Sequence, residues 1–245
     1  MKRLYLCTFL LLLSSCSYEN HTNNEIIISA AASLQAPLEE IVTSYEKINP
    51  NVPIIVNYGG SGSLQTQIAQ GAPVDLFISA SSLHMKSLVD EDIIKEDNTY
   101  PLMGNSIVVI KSKAQSWKSL QEVVDEKSKI AIGTPATVPA GKYAKQSLQN
   151  TGLWTSVVDY LVYAKDVTHV LTLVEEQSVS AGFVYGSDVK RSEGIHTLKE
   201  YSPTSHEPII YTMGVIEEEA RPFKDYLLEA SSQKVFERYG FQALQ

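Results

Sequence analysis

The sequence predicts an α/β protein of two lobes, each a mostly parallel sheet flanked by helices, and three observations carry this. Apolar runs of four to six residues alternate with segments of helical period. A second strand-helix series starts at Ile107, after the first has run its course. A strand and a helix then return near the C-terminus, with no repeat or low-complexity linker that would separate independent domains.

The first series opens with Ile26 to Ser29, whose unbroken apolar character suits a buried strand. Leu38, Ile41, Val42 and Tyr45 then recur at helical spacing until Asn49-Pro50 stops them. Pro53 to Asn57 reads as a strand, Leu64, Ile68 and Ala69 as a short helix ended by Gly71, and Val74 to Ile78 as a third strand. Helical spacing resumes with Leu83, Met85, Leu88 and Val89. In the second series the strands are Ile107 to Ile110, Ile130 to Ile132, Tyr160 to Tyr163 and Ala181 to Tyr185. Helices are expected from about Gly141 to Gln149 and from about Thr168 to Glu176. The returning strand is Ile209 to Ile216, and a helix runs from Arg221 to about Leu228, with Val235, Phe236 and Tyr239 beyond it.

Ahead of all this, Lys2 and Arg3 precede an apolar run from Leu4 to Leu13, followed by Leu13-Ser14-Ser15-Cys16. That is the layout of a signal peptide over residues 1–15, too short in its apolar part to span a bilayer. A cysteine after Leu-Ser-Ser resembles a bacterial lipobox, in which Cys16 is lipidated and becomes the first residue; a signal without lipidation is the alternative. Residues 16–24 read as a polar tether. Cleavage discards Cys7 and commits Cys16 to lipid, so no cysteine is left for a disulfide, a metal or a thiol nucleophile.

With 44% hydrophobic and 20% charged residues the composition is that of an ordinary globular protein. The net charge of −8 argues against a nucleic-acid partner. It leaves open a small anion, provided local dipoles build the site.

The sequence places several polar turn residues just past strand ends, the edge of an open α/β sheet at which ligands bind. Ser33 and Ser61 each follow a strand and open a helix; Pro139-Ala140-Gly141 and Lys165-Asp166-Val167 open two more. A helix's first turn offers unpaired N–H groups and about half a positive charge, which suits an anion without lysine or arginine. Each serine also has the plainer reading of an N-cap. Tyr185 closes a strand, either as a core aromatic or with its hydroxyl in the same cleft.

The loop Gly59-Gly-Ser-Gly-Ser63 lacks the lysine that a P-loop requires and has serine where a nucleophile elbow needs its last glycine. Its glycines are expected to let the backbone approach a ligand. Beyond His21 in the tether, His84, His169, His196 and His206 are the candidate bases, none beside an acid in a recognisable motif, although a triad can assemble from distant positions. Clustered Cys, His and carboxylate spacing is missing too, so direct metal ligands are not expected.

Seven segments in order resemble the molybdate-binding proteins of bacterial ABC importers, a branch of the periplasmic binding-protein superfamily. They are Ala30-Ala-Ala-Ser33-Leu, Gly71 to Ala80, Leu102-Met-Gly-Asn-Ser106, Val138-Pro-Ala-Gly141-Lys-Tyr-Ala, Leu173-Val-Glu175, Val184-Tyr-Gly-Ser-Asp188 and Arg238-Tyr-Gly-Phe241. The resemblance implies a type II two-lobed fold with the ligand cleft between the lobes. Residues 25–101 and 207–245 would form lobe I and residues 102–206 lobe II, with crossings near Tyr100 to Gly104 and Glu207 to Tyr211. It also implies that Ser33, Ser61, Ala140, Val167 and Tyr185 hold the oxyanion, with Ser63 an alternative to Ser61.

On this resemblance the protein is expected to be a lipid-anchored, extracytoplasmic monomer that is not an enzyme and has no cofactor. It would capture molybdate or tungstate and deliver it to an ABC permease in the membrane. The alternatives are a sulfate or phosphate receptor of the same architecture and a serine hydrolase using Ser61.

Overall fold

Strand β1 (Ile26–Ala31) is apolar enough to be sealed on both faces, and it lies between two parallel neighbours, β2 (Ile54–Gly59) and β3 (Leu76–Ser79). The computed structural model describes residues 25–190 and 192–244. The signal peptide, Cys7, Cys16 and the tether lie outside the described residues. After β4 (Thr99–Gly104) the chain builds a second sheet from β5 (Ile107–Ser112), β6 (Ile130–Gly133), β7 (Leu161–Ala164), β8 (Ala181–Tyr185) and β9 (Ile195–Glu200). It returns to the first sheet as β10 (Ile210–Val215), so the orders are β2-β1-β3-β10-β4 and β7-β6-β8-β5-β9.

The two sheets share one plan. Three parallel strands form one side of each, and the strands at the lobe crossings pair antiparallel on the other side. Parallel neighbours require crossover connections, and helices supply them. These are α1 (Gln35–Ile48), α2 (Ser61–Ala69) and α3 (Ser82–Asp90) in the first lobe, with α4 (Leu120–Asp125), α5 (Pro139–Asn150), α6 (Trp154–Val157), α7 (Val167–Glu175) and α8 (Gly186–Val189) in the second. The chain ends with α9 (Arg221–Leu228) and α10 (Ala230–Arg238).

Helix α1 shows why the C-terminus belongs with the first lobe. Its Leu38, Ile41 and Tyr45 recur at helical spacing and are buried. Tyr45 meets Phe223 edge-on at 5.0 Å and Tyr226 at 5.2 Å, while Arg238 pairs with Glu40, so α9 and α10 lie against α1. The expected crossings fall on β4 and at the start of β10. Gly71, with φ +88°, ends the α2 segment in the left-handed region as its sequence suggests.

Three differences from the sequence reading have simple causes. β9 is an edge strand of mostly polar, exposed residues, so it lacks an apolar run. β4 contains Pro101, tolerable because this strand too is at a sheet edge. Ser33 does not open α1 directly but sits in a 3-10 turn, Ala32–Leu34, ahead of it.

Candidate ligand-binding site

A small cavity lies between the lobes, and every wall of it is built at the carboxyl end of a parallel strand. From the first lobe come Ala31, Ala32 and Ser33 after β1, Gly59, Gly60 and Ser61 after β2, and Ala80 after β3. Val138 and Pro139 before α5, Asp166 and Val167 at the start of α7, and Tyr185 at the end of β8 come from the second. The cavity is small, with about 10 Å³ open to the centre of a water molecule, far below the several hundred Å³ of sites for drug-sized ligands. A wider open groove shares Ala32 and Asp166 with it and carries Lys165 and Gln35 at the cleft mouth.

Four of the five residues singled out in the sequence, Ser33, Ser61, Val167 and Tyr185, line this one cavity. Ala140 is fully buried one residue beyond Pro139, in the first turn of α5. Ser63 is not among the lining residues, so Ser61 is the serine of this loop that faces the cavity. The backbone N–H groups of Ala140 and Val167 fall where helix geometry provides no intrahelical acceptor.

Neither serine is a helix cap. No side-chain cap bond is present at the 3-10 turn holding Ser33 or at the start of α2. Instead the Ser33 hydroxyl meets the Tyr211 hydroxyl at 2.7 Å, and the Ser61 oxygen accepts from the Ala80 N–H at 3.0 Å. Both serines are buried to within 1%. A capping carboxylate does occur at α7, where Asp166 accepts from the His169 N–H at 2.8 Å.

Tyr185 is 2% exposed, and its hydroxyl lies beside that of Tyr211 but makes no hydrogen bond of normal geometry among the described residues. Its ring lies 5.8 Å from that of Tyr211. Burial, reinforced by the neighbouring Tyr211, pushes its pKa well above the ordinary phenol value, and burial raises that of Tyr211 as well. Both therefore remain neutral phenols that can donate a hydrogen bond throughout the pH range of the folded protein. An unpartnered buried hydroxyl is unfavourable by about 1–3 kcal/mol, and a ligand in the cavity is the group that would relieve it.

The glycines do more than the sequence suggests. Gly59 and Gly60 do line the cavity, but a Cβ on Gly60 would lie 2.9 Å from the Lys165 carbonyl oxygen and 3.1 Å from that of Thr137. One on Gly62 would lie 2.8 Å from Thr137 Cα. The Gly62 N–H donates to the Thr137 carbonyl at 2.8 Å, a bond from the first lobe to the second. The glycines thus let the opposing lobe's backbone close on the loop as well as a ligand.

Tyr211, Ala80, Asn105 and Thr137 were not singled out by the sequence reading. Asn105 and Ala80 had a signal as parts of the Leu102 to Ser106 and Gly71 to Ala80 segments, and Tyr211 ended the second expected crossing, but none was assigned a role.

Among the described residues, the cavity wall carries no lysine, arginine or histidine, and Asp166 is its single charged side chain. The contact of the Ser61 hydroxyl is with the Ala80 N–H, while the His84 ring packs against the neighbouring Gly62. Two lobes closing on a cavity lined by hydroxyls and helix N-termini define a receptor for a small solute. The chain belongs to the bacterial extracellular solute-binding protein family, whose model matches residues 26–242. It is 44% identical to YvgL of Bacillus subtilis, provisionally named an ABC transporter substrate-binding lipoprotein, over 97% of this chain and 95% of that protein. It is also 32% identical to the molybdate-binding protein ModA of Haemophilus influenzae, over 99% of this chain and all of the relative. Among solved structures, the substrate-binding domain of a molybdenum ABC transporter, itself provisionally assigned, from Clostridium difficile superposes with a TM-score of 0.69. That domain is 41% identical, and the match covers 90% of this chain and 99% of the other.

Proposed function

We propose that the protein captures molybdate, and tungstate as well, in the cavity between its lobes and delivers it to an ABC permease. The carrying observation is a wall that, among the described residues, has hydroxyl and helix-N-terminal donors, no cationic side chain, and a buried Tyr185 hydroxyl without a hydrogen bond of normal geometry. A fully ionised tetrahedral oxyanion needs donors on all sides and no acceptor, which Ser33, Ser61, Tyr185 and the amides of Ala140 and Val167 supply. Relatives named for molybdate support this anion over other tetrahedral ones. The ligand favours the closed form because only there do donors from both lobes reach it. Lipidation at Cys16 would keep the receptor on the outer face of a membrane beside its permease, in keeping with the name of YvgL.

A melting-temperature screen with molybdate, tungstate, sulfate and phosphate tests the ligand. At about a hundred times Kd, linkage gives roughly 2.7 kcal/mol of stabilisation, a clear upward shift with molybdate and tungstate. Stabilisation by sulfate or phosphate alone transfers the reading to those anions. For the anchor, Cys16→Ala is expected to move the protein from the membrane to the soluble fraction on cell fractionation; unchanged membrane association argues against lipidation.

A further inference from the structure

The Tyr185 hydroxyl makes no hydrogen bond of normal geometry among the described residues, so its place in the cavity wall is set by the backbone that carries it and the rings around it. We infer that Asn105 is a positioning residue for Tyr185: it bolts the turn after β8 to the first lobe crossing and so holds the phenol where an anion meets it. This rests on the oxyanion reading above.

The turn Tyr185-Gly-Ser-Asp188 is tied at three consecutive backbone N–H groups. Tyr185 donates to Asp188 Oδ2 at 3.0 Å, Gly186 to the Ser106 carbonyl at 2.9 Å and Ser187 to Asn105 Oδ1 at 3.3 Å. Two of the three acceptors thus belong to Asn105 and Ser106, the link between β4 and β5. Asn105 Oδ1 also accepts from the Ser106 N–H at 2.9 Å, and backbone N–H groups only donate, so the side-chain amide has one orientation. Its Nδ2 then donates to Ser187 Oγ at 2.8 Å and to the Tyr211 hydroxyl oxygen at 3.4 Å. Asn105 and Ser187 are therefore joined twice, and both are buried.

The same side chain fixes the ring beside Tyr185. Tyr185 lies 5.8 Å from Tyr211, ring to ring, and Tyr211 stands on the first-lobe strand β10 with its hydroxyl 2.7 Å from that of Ser33. One residue at the crossing thus sets Tyr185 of the second lobe against Ser33 of the first. Without the Asn105 side chain, the Ser187 N–H and Oγ lose their partners in a buried site, and the turn shifts to find others. A ligand group is only as well placed as the shell that supports it, so the displaced phenol meets the anion badly.

The test begins with calorimetric titration of the purified protein with molybdate, tungstate, sulfate and phosphate. If none binds, the oxyanion reading falls, and this inference with it. With whichever anion binds, Tyr185→Phe must weaken binding; unchanged affinity overturns this inference and leaves the oxyanion reading on the remaining donors. Asn105→Ala and Tyr185→Phe are then combined in a double-mutant cycle. Asn105→Ala weakens binding about tenfold in the native background and less than about 3-fold once Tyr185→Phe is present. Equal losses in the two backgrounds, or a lower melting temperature with no loss of affinity, make Asn105 purely structural and overturn the inference.

Near-ultraviolet difference spectra of the tyrosines supply a second readout. The part of the anion-induced signal that Tyr185→Phe removes is diminished in Asn105→Ala at saturating anion. A Tyr185 signal that is missing from the native protein, or of full size in Asn105→Ala, overturns the inference. Should Asn105→Ala fail to fold, Ser187→Ala, which removes only the bond between the two side chains, takes its place in the cycle. Its smaller loss, about 3-fold, must vanish in the Tyr185→Phe background, and a loss that is absent or persists there overturns the inference.

Discussion

Ser33 and Ser61 stand where capping serines are expected, yet their hydroxyls bond to Tyr211 and Ala80 rather than to a helix's first turn. Two consequences separate the ligand role from the capping role. Ser33→Ala or Ser61→Ala is expected to weaken anion binding by about 1.5–3 kcal/mol each, the range for a hydrogen bond to a charged group. The empty protein should lose about 1–3 kcal/mol of stability as well, because Tyr211 or the Ala80 amide is left buried without a partner. Titration calorimetry and thermal melts of the same variants read the two effects; stability losses without affinity losses would make these serines purely structural. The positions of Ser33, Ser61, Val167 and Tyr185 were legible because each sits within a few residues of a strand end. Tyr211 and Asn105 were not, because their bonds to Ser33 and Ser187 join residues 178 and 82 apart in the chain. Such partners are set by how the two crossings fold together, which no local pattern records.

At the level of elements, the start of α2 meets the loop before α5 through the Gly62 N–H and the Thr137 carbonyl. A methyl at position 62 would meet the His84 ring of α3, which can turn aside within the first lobe, and the Thr137 backbone of the second lobe, which cannot. Gly62→Ala is thus expected to act with opposite signs on two observables. Helix propensity favours Ala over Gly by up to about 1 kcal/mol, so the empty protein's melting temperature should hold or rise. Affinity should fall at least about tenfold, a loss of about 1.4 kcal/mol, because closure is impeded. Small-angle scattering would show a variant that no longer contracts with ligand; contraction like that of the native chain rules this contact out as a determinant of closure. The strands and helices of the parallel halves were legible from their apolar runs and 3.6-residue spacing. β4, β9, α4, α6 and α8 were not: two are edge strands with polar or proline-containing sequences, and the helices are only one or two turns long. The glycines' contact across the cleft was hidden for the same reason as the Ser33–Tyr211 bond, since its other half lies far away in the chain.

For the molecule as a whole, a net charge of −8 surrounds a cavity proposed to hold an anion, so long-range and short-range electrostatics oppose each other. Attraction comes from hydroxyls and helix N-termini that are buried when the lobes meet, while repulsion comes from carboxylates spread over the surface. Salt distinguishes the two. Raising ionic strength from about 0.01 M to 0.15 M shortens the screening length from about 30 Å to 8 Å. That removes the distant repulsion but barely touches dipoles in contact with a buried ion. A site built on lysine or arginine at the surface would lose affinity for a divalent anion over this range. Here the association rate should rise and the affinity should stay within about threefold or increase, as measured by stopped-flow and titration in sodium chloride. A tenfold loss of affinity with added salt would place cationic side chains at the ligand, against the neutral wall formed by Ser33, Ser61 and Tyr185.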